Sequence, residues 1–230
     1  MFQHRGFTAQ SIALVAVFAG LIAASTLTPE ITLAAGVPLS LQTFAVVVTA
    51  LVLGPWRALA ATALYIAVGL AGAPIFSNGV AGFAIFARPS WGYLLGMLVA
   101  APVVGLIAQL LARRGSLTYV PLLGAGLVSI PIIYAFGVPV LASKLGLNVF
   151  TLPADCEGVG DFASGCVTGI TVGTVPFLPG DLLKVFLAAL VAAAIHRAYP
   201  GLLGAARRAA SGSVHADEDA PEDEAARATA

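Results

Sequence analysis

Apolar runs close to the length of a membrane crossing recur along this chain, and few architectures can absorb them. They extend roughly over Ser11 to Leu27, Leu39 to Leu53, Ala58 to Ala71, Tyr93 to Ala112, Leu117 to Phe136 and Asp181 to Ala198. None shows the period-two alternation of a lipid-facing strand, so helices fit and a β-barrel does not. Hydrophobic residues make up 59% of the 230 residues and charged residues only 10%, where soluble domains carry about 25% charged. Mean hydropathy is +0.97. A soluble fold of this length has no interior large enough for so much apolar surface. The expectation is an all-α integral membrane protein with six transmembrane helices. The second and third spans are short, which calls for tilt or a locally thinned bilayer.

Charge then orients the spans. With the N-terminus in the cytoplasm, Arg5, Arg57, Arg113, Arg114, Arg197, Arg207 and Arg208 all fall inside. The outer loops carry Glu30, Asp155, Glu157 and Asp161, with only Arg88 and Lys144 as bases. That distribution follows the positive-inside rule and puts both termini in the cytoplasm. The first run has His4 and Arg5 ahead of it but is longer than a signal-peptide core, and is read as a retained span. Residues 1–210 form the membrane domain. Beyond them Asp217, Glu218, Asp219, Glu222, Asp223 and Glu224 lie among Ala and Pro, the composition of a disordered acidic cytoplasmic tail.

The loops differ by side. The inner connections at Gly54 to Arg57 and Arg113 to Ser116 are tight, whereas the outer ones are long and rich in Gly and Pro: Thr28 to Pro38, Gly72 to Gly92 and Gly137 to Gly180. Long loops on one face point to a cap or pocket there. Gln42 and Thr43 bring neutral hydrogen-bonding groups into the second span, as helix entry or as part of a site. Asn78-Gly79 is a turn signal, yet Phe76, Phe83, Phe86, Trp91 and Tyr93 around it give apolar walls about a polar centre. Trp91 and Tyr93 also suit an interfacial aromatic belt. Arg88 breaks the charge bias, and could meet an anionic ligand or a lipid headgroup.

Asp181 and Lys184 stand three residues apart at the start of the last span. That spacing puts both on one helix face at a bilayer boundary, where ionisable groups are costly and are usually kept for substrates, ions or partners. The competing explanation makes Asp181 an N-cap and Lys184 its counter-ion. Cys156 and Cys166 share the third outer loop, ten residues apart. A disulfide there would add about 2–3 kcal/mol by constraining the unfolded chain, and metal binding lacks a nearby His.

The chain has no phosphate-binding Gly-x-x-x-x-Gly-Lys loop, no His-Glu-x-x-His and no Gly-x-Ser-x-Gly. His4, His196 and His215 sit at cytoplasmic ends, away from the polar outer residues. No ATPase and no enzyme are therefore expected, and inverted repeats or acidic relays of a self-driven transporter are not evident. In the first span Ala16, Gly20 and Ala24 recur every four residues, a spacing that lets another helix approach closely in lipid. An Ala-rich composition with internal packing would look the same. An outer pocket, a docking face and no engine describe a binding subunit driven by partners.

Four stretches resemble a known family: Val37-Pro-Leu-Ser-Leu-Gln-Thr-Phe44, Tyr65-Ile-Ala-Val-Gly-Leu-Ala-Gly-Ala-Pro-Ile-Phe76, Gly92-Tyr-Leu-Leu-Gly96 and Pro176-Phe-Leu-Pro-Gly-Asp-Leu-Leu-Lys184. Together they resemble BioY, the biotin-binding S component of energy-coupling factor (ECF) transporters. The resemblance runs from the first span to the sixth and leaves out the acidic tail and the cysteine-bearing insertion. Where the family commonly reads Gly-Pro-Thr-Gly-Gly-Tyr, this chain has Ala87-Arg-Pro-Ser-Trp-Gly-Tyr93. The resemblance implies a six-helix bundle in the cell membrane that binds biotin from outside. It implies docking through the small residues of the first helix onto a transmembrane coupling protein (the T component) driven by two ABC-type ATPases. Asn78, Asp181 and Lys184 are the implied binding residues, with Gln42, Phe76 and Tyr93 around the ligand and Arg88 as candidate for its carboxylate. Membrane lipid is the other partner. No cofactor and no nucleic acid are expected, ATP being used by the partner subunits alone. The alternatives are an S component for another vitamin or a biotin precursor, or a membrane-embedded enzyme acting on a lipid.

Overall fold

Backbone punctuation decides where the apolar runs stop. The computed structural model describes residues 9–27, 31–32, 38–154, 156, 158–160 and 165–203. The acidic tail, His4, His215 and the acidic residues of the outer loops lie outside the described residues. Helices are α1 (Ala9–Ser25), α2 (Gln42–Leu53), α3 (Pro55–Leu70), α4 (Trp91–Arg113), α5 (Tyr119–Leu127), α6 (Ser129–Leu145), α7 (Gly169–Gly173) and α8 (Leu178–Ala198). Strands β1 (Ile31–Thr32) and β2 (Pro38–Leu39) pair antiparallel as a small ribbon between α1 and α2. Two short 3-10 turns, Ser77–Gly79 and Gly82–Ala87, bridge α3 to α4.

The turn between α2 and α3 shows the punctuation at work. Gly54 takes φ +77°, and Pro55 then opens α3 at a position where its missing N–H costs nothing. α7 is started by a capping box in which Thr168 and Thr171 each satisfy the other's backbone N–H.

The fifth span differs from expectation. The apolar run in sequence extends from Leu117 to Phe136, with an outer loop expected from Gly137, but α5 and α6 make one apolar stretch of 27 residues ending at Leu145. Gly137 and Pro139 read as breakers in sequence, yet both sit inside α6. Gly137 is there because a Cβ would fall 2.4 Å from the Tyr93 ring of α4. Pro139 lies in a helix flanked by apolar neighbours, where such interruptions are tolerated. The third long loop therefore begins at Gly146.

α2 is the central helix. Every residue from Gln42 to Leu53 except Phe44 is buried, and the helix packs on α8, α4, α3 and α1. It is apolar all round because it has no lipid-facing side. The peripheral helices pack on it through small residues: Ala58 and Ala61 of α3, Ala100, Ala101 and Ala108 of α4, Ala188, Ala189 and Ala192 of α8. Their outer faces carry exposed Leu106, Leu110, Leu183, Leu190 and Val17, a surface suited to lipid and unsuited to water. α4 and α6 form the most extensive helix pair. Their approach requires Gly96, where a Cβ would meet the Ile133 backbone at 2.7 Å. α4, the α5–α6 stretch and α8 are each long and apolar enough to cross a membrane, while α1, α2 and α3 are shorter apolar helices.

The two ends of the bundle are chemically unlike. At one end Arg57 donates to the Leu53 carbonyl (3.0 Å) and to the Leu202 carbonyl (2.8 Å), and His196 Nε2 donates to the Leu51 carbonyl (2.9 Å). These bonds tie the α2–α3 turn to the end of α8. The starts of α2, α4 and α8 and the end of α3 converge at the opposite end, where the loops are long.

Candidate functional site

At that loop-rich end a cavity of about 610 Å³, counting its open mouth, lies between α2, α3, α4, α6 and α8. Ile85, Leu94, Met97, Ile133, Phe76 and Phe177 supply apolar wall. Ser40, Gln42, Thr43, Ser77 and Ser90 supply neutral polar groups, and Asp181 with Lys184 the only charges.

The acid–base pair is the polar pole. Asp181 and Lys184 are buried, and Lys184 Nζ donates to Asp181 Oδ1 at 2.9 Å. The Tyr134 hydroxyl donates to Asp181 Oδ2 at 2.7 Å. The carboxylate thus accepts one bond from its own helix and one from α6. Asp181 is not the N-cap. Phe177 holds that position, Pro179 follows it, and the Asp181 backbone N–H already bonds to the Phe177 carbonyl at 2.9 Å. The side chain sits one turn inside the helix and turns into the cavity, so the capping explanation falls.

Aromatic residues fix the wall. Tyr93 donates its hydroxyl to the Gly173 carbonyl (2.7 Å) and packs near-perpendicular to Tyr134, ring centres 6.2 Å apart. Across the cavity Phe76 meets Tyr65 edge to face at 5.7 Å. The Gln42 amide nitrogen donates to the Tyr65 hydroxyl, which donates to the Ile75 carbonyl, both at 3.0 Å. Thr26, just past α1, donates to the same carbonyl at 2.7 Å. Gln42 is thereby oriented by the loop that follows α3.

Of the residues singled out from sequence, Gln42, Phe76, Tyr93, Asp181 and Lys184 come together in the wall. Asn78 and Arg88 do not: both are exposed and outside the lining. Asn78 takes φ +59° within the tight Phe76-to-Val80 turn, a conformation Asn tolerates better than most residues. Arg88 follows the Gly82–Ala87 turn, beside exposed Phe83 and Phe86. Tyr65 and Tyr134 were missed as polar groups. Their signal in the sequence is a hydroxyl inside an apolar run, where it must find a partner.

Ala16, Gly20 and Ala24 are exposed on α1, and a Cβ on Gly20 would meet nothing within 4 Å. The neighbouring Ala19 is turned into the bundle. Cys156 and Cys166 form a disulfide, with Cα atoms 5.6 Å apart. Among the described residues no cluster of His, Cys, Asp and Glu could hold a metal ion.

A buried acid–base pair with a hydroxyl, facing an apolar slot, can hold a neutral group that presents adjacent donors and acceptors. The chain as a whole is similar to known proteins. A relative from Rhodobacter capsulatus named biotin transporter BioY is 37% identical over 194 residues, covering 84% of this chain and 97% of its own. One of the same name from Rhizobium etli is 32% identical over 196 residues, covering 83% and 95%. A crystal structure described as the S-component for biotin from an ECF-type ABC transporter shares the fold with a TM-score of 0.68 at 19% identity, covering 86% of this chain and 95% of that one. The BioY family model matches residues 1–201, through the whole bundle to the end of α8, and the chain belongs to the BioY family.

Proposed function

We propose that this protein captures biotin and serves in its uptake as the substrate-specific S component of an ECF-type transporter. It is a transporter component and not an enzyme, as its relatives are biotin transporters. The observation that carries the assignment is the buried Asp181–Lys184 pair inside an apolar cavity, in a chain of the BioY family.

The chemistry of the site matches biotin group by group. The ureido ring offers two N–H donors and one carbonyl. Asp181 retains acceptor capacity after its bonds to Tyr134 and Lys184, and Lys184 has further N–H donors beyond the one it gives Asp181. Asp181 meets the ureido N–H groups and Lys184 the carbonyl. The thioether bicycle lies against Phe76, Tyr93, Met97 and Phe177, and the Gln42 amide adds a neutral polar contact. Asn78 and Arg88 flank the wall and meet the valerate chain or its carboxylate only beyond the mouth. The pair's opposite charges leave the pocket with no net charge of its own, which suits a neutral head.

Six membrane crossings with both termini in the cytoplasm put the cavity at the outer face. Support comes from three helices of full span length, three shorter apolar ones, and arginines gathered at the end away from the cavity. Phe83, Phe86 and Trp91 then form an aromatic belt at the outer interface of the plasma membrane. The open face of Ala16, Gly20 and Ala24 docks on the T component, whose two ATPases supply the energy this chain lacks. Equilibrium dialysis of the purified protein against biotin and a panel of other vitamins tests the assignment: biotin binds tightest. Absence of biotin binding, or tighter binding of another vitamin, overturns it.

A further inference from the structure

We propose that Tyr134 is a positioning residue for ligand capture, its hydroxyl holding the Asp181 carboxylate in the orientation that meets the ligand's urea. The proposal rests on the biotin assignment above and adds a residue that does not itself line the cavity.

A carboxylate on a two-torsion side chain must be fixed against rotation before it can present its lone pairs in a set direction. Lys184 cannot do this alone. It sits three residues along the same helix, so its bond to Oδ1 moves with α8 and references the carboxylate to nothing outside it. Tyr134 supplies the external reference, donating to Oδ2 at 2.7 Å from α6. Its own ring is buried and set edge to face on Tyr93, and the Tyr93 hydroxyl is anchored on Gly173 of α7. Four elements thus fix one carboxylate: α7 holds Tyr93 of α4, Tyr93 backs Tyr134 of α6, and Tyr134 holds Asp181 of α8. Tyr93 is also cavity wall, so the aromatic contact and the polar contact for the ligand are set by one linked stack.

Tyr134→Phe tests this in the full-length protein, because it keeps the ring and its packing and removes only the donor. Biotin affinity falls about tenfold to hundredfold, the range for one hydrogen bond to a charged group. A purely structural role is separated by selectivity. Biotin methylated on its ureido nitrogens cannot use the positioned carboxylate, so its weak binding is unchanged in Tyr134→Phe and the discrimination between the two ligands shrinks. Parallel loss for both ligands, or wild-type affinity for biotin, overturns the role of Tyr134 while leaving biotin capture intact. Failure of the wild-type protein to bind biotin overturns both.

Discussion

Asp181 and Lys184 concentrate the chemistry of this molecule in one turn of one helix. Burying two charges costs several kcal/mol each before their attraction is counted, so the pair is a poor device for stability alone. It is a good device for recognition, since a urea can share its bonds. Asp181→Asn therefore lowers biotin affinity at least about tenfold, read by isothermal titration; wild-type affinity in that variant would remove Asp181 from the site. Lys184→Met strands a buried carboxylate, a loss of about 3–5 kcal/mol that shows as a lower thermal midpoint. Adding Asp181→Asn to Lys184→Met restores most of that stability, and no recovery would mean that the two residues are not coupled. The i,i+3 spacing was legible in the sequence, because it is local. Tyr134 was not, since its place beside Asp181 depends on how α6 crosses α8.

Individual helices divide their faces between bundle and surroundings, and α1 does so most openly. Ala19 faces inward while Ala16, Gly20 and Ala24 face out with open space above Gly20. Gly20→Trp or Ala16→Trp leaves biotin binding intact and abolishes uptake when the coupling partners are present. Normal transport in these variants would place the interface elsewhere. Glycine at the α4–α6 contact is different in kind. Gly96→Ala drives a methyl group into the Ile133 backbone, so it lowers unfolding stability by about 1–3 kcal/mol without touching the cavity, measured by thermal denaturation. The sequence shows small residues at both places alike. Only the packed helices tell a contact glycine from one on an open face, and for the same reason Gly137 and Pro139 looked like the end of a helix they lie within.

At the scale of the whole molecule, polarity runs along the bundle axis. Arg57, Arg113, Arg114 and Arg197 gather toward one end, and the cavity opens at the other. An impermeant thiol reagent checks the resulting orientation in intact cells. In a Cys156→Ser, Cys166→Ser background, Asn78→Cys reacts from outside and Ser116→Cys only after permeabilisation; the reverse pattern would invert the topology. The region matched by the BioY family spans every helix of the bundle and stops before the acidic tail.

The sequence by itself determined the solvent this chain is built for, the approximate positions of its helices and the family to which it belongs. Those properties are carried by composition, by runs of apolar residues and by short contiguous motifs, which do not depend on distant contacts. It also singled out five residues that share the cavity wall: Gln42, Phe76, Tyr93, Asp181 and Lys184. The tertiary structure decided what those residues do to one another. It turned Asp181 into the cavity instead of leaving it as a cap, set Tyr134 on its second oxygen, and left Asn78 and Arg88 outside the wall. Each of these is a relation between helices far apart in the chain, and their packing alone brings such side chains within hydrogen-bonding distance.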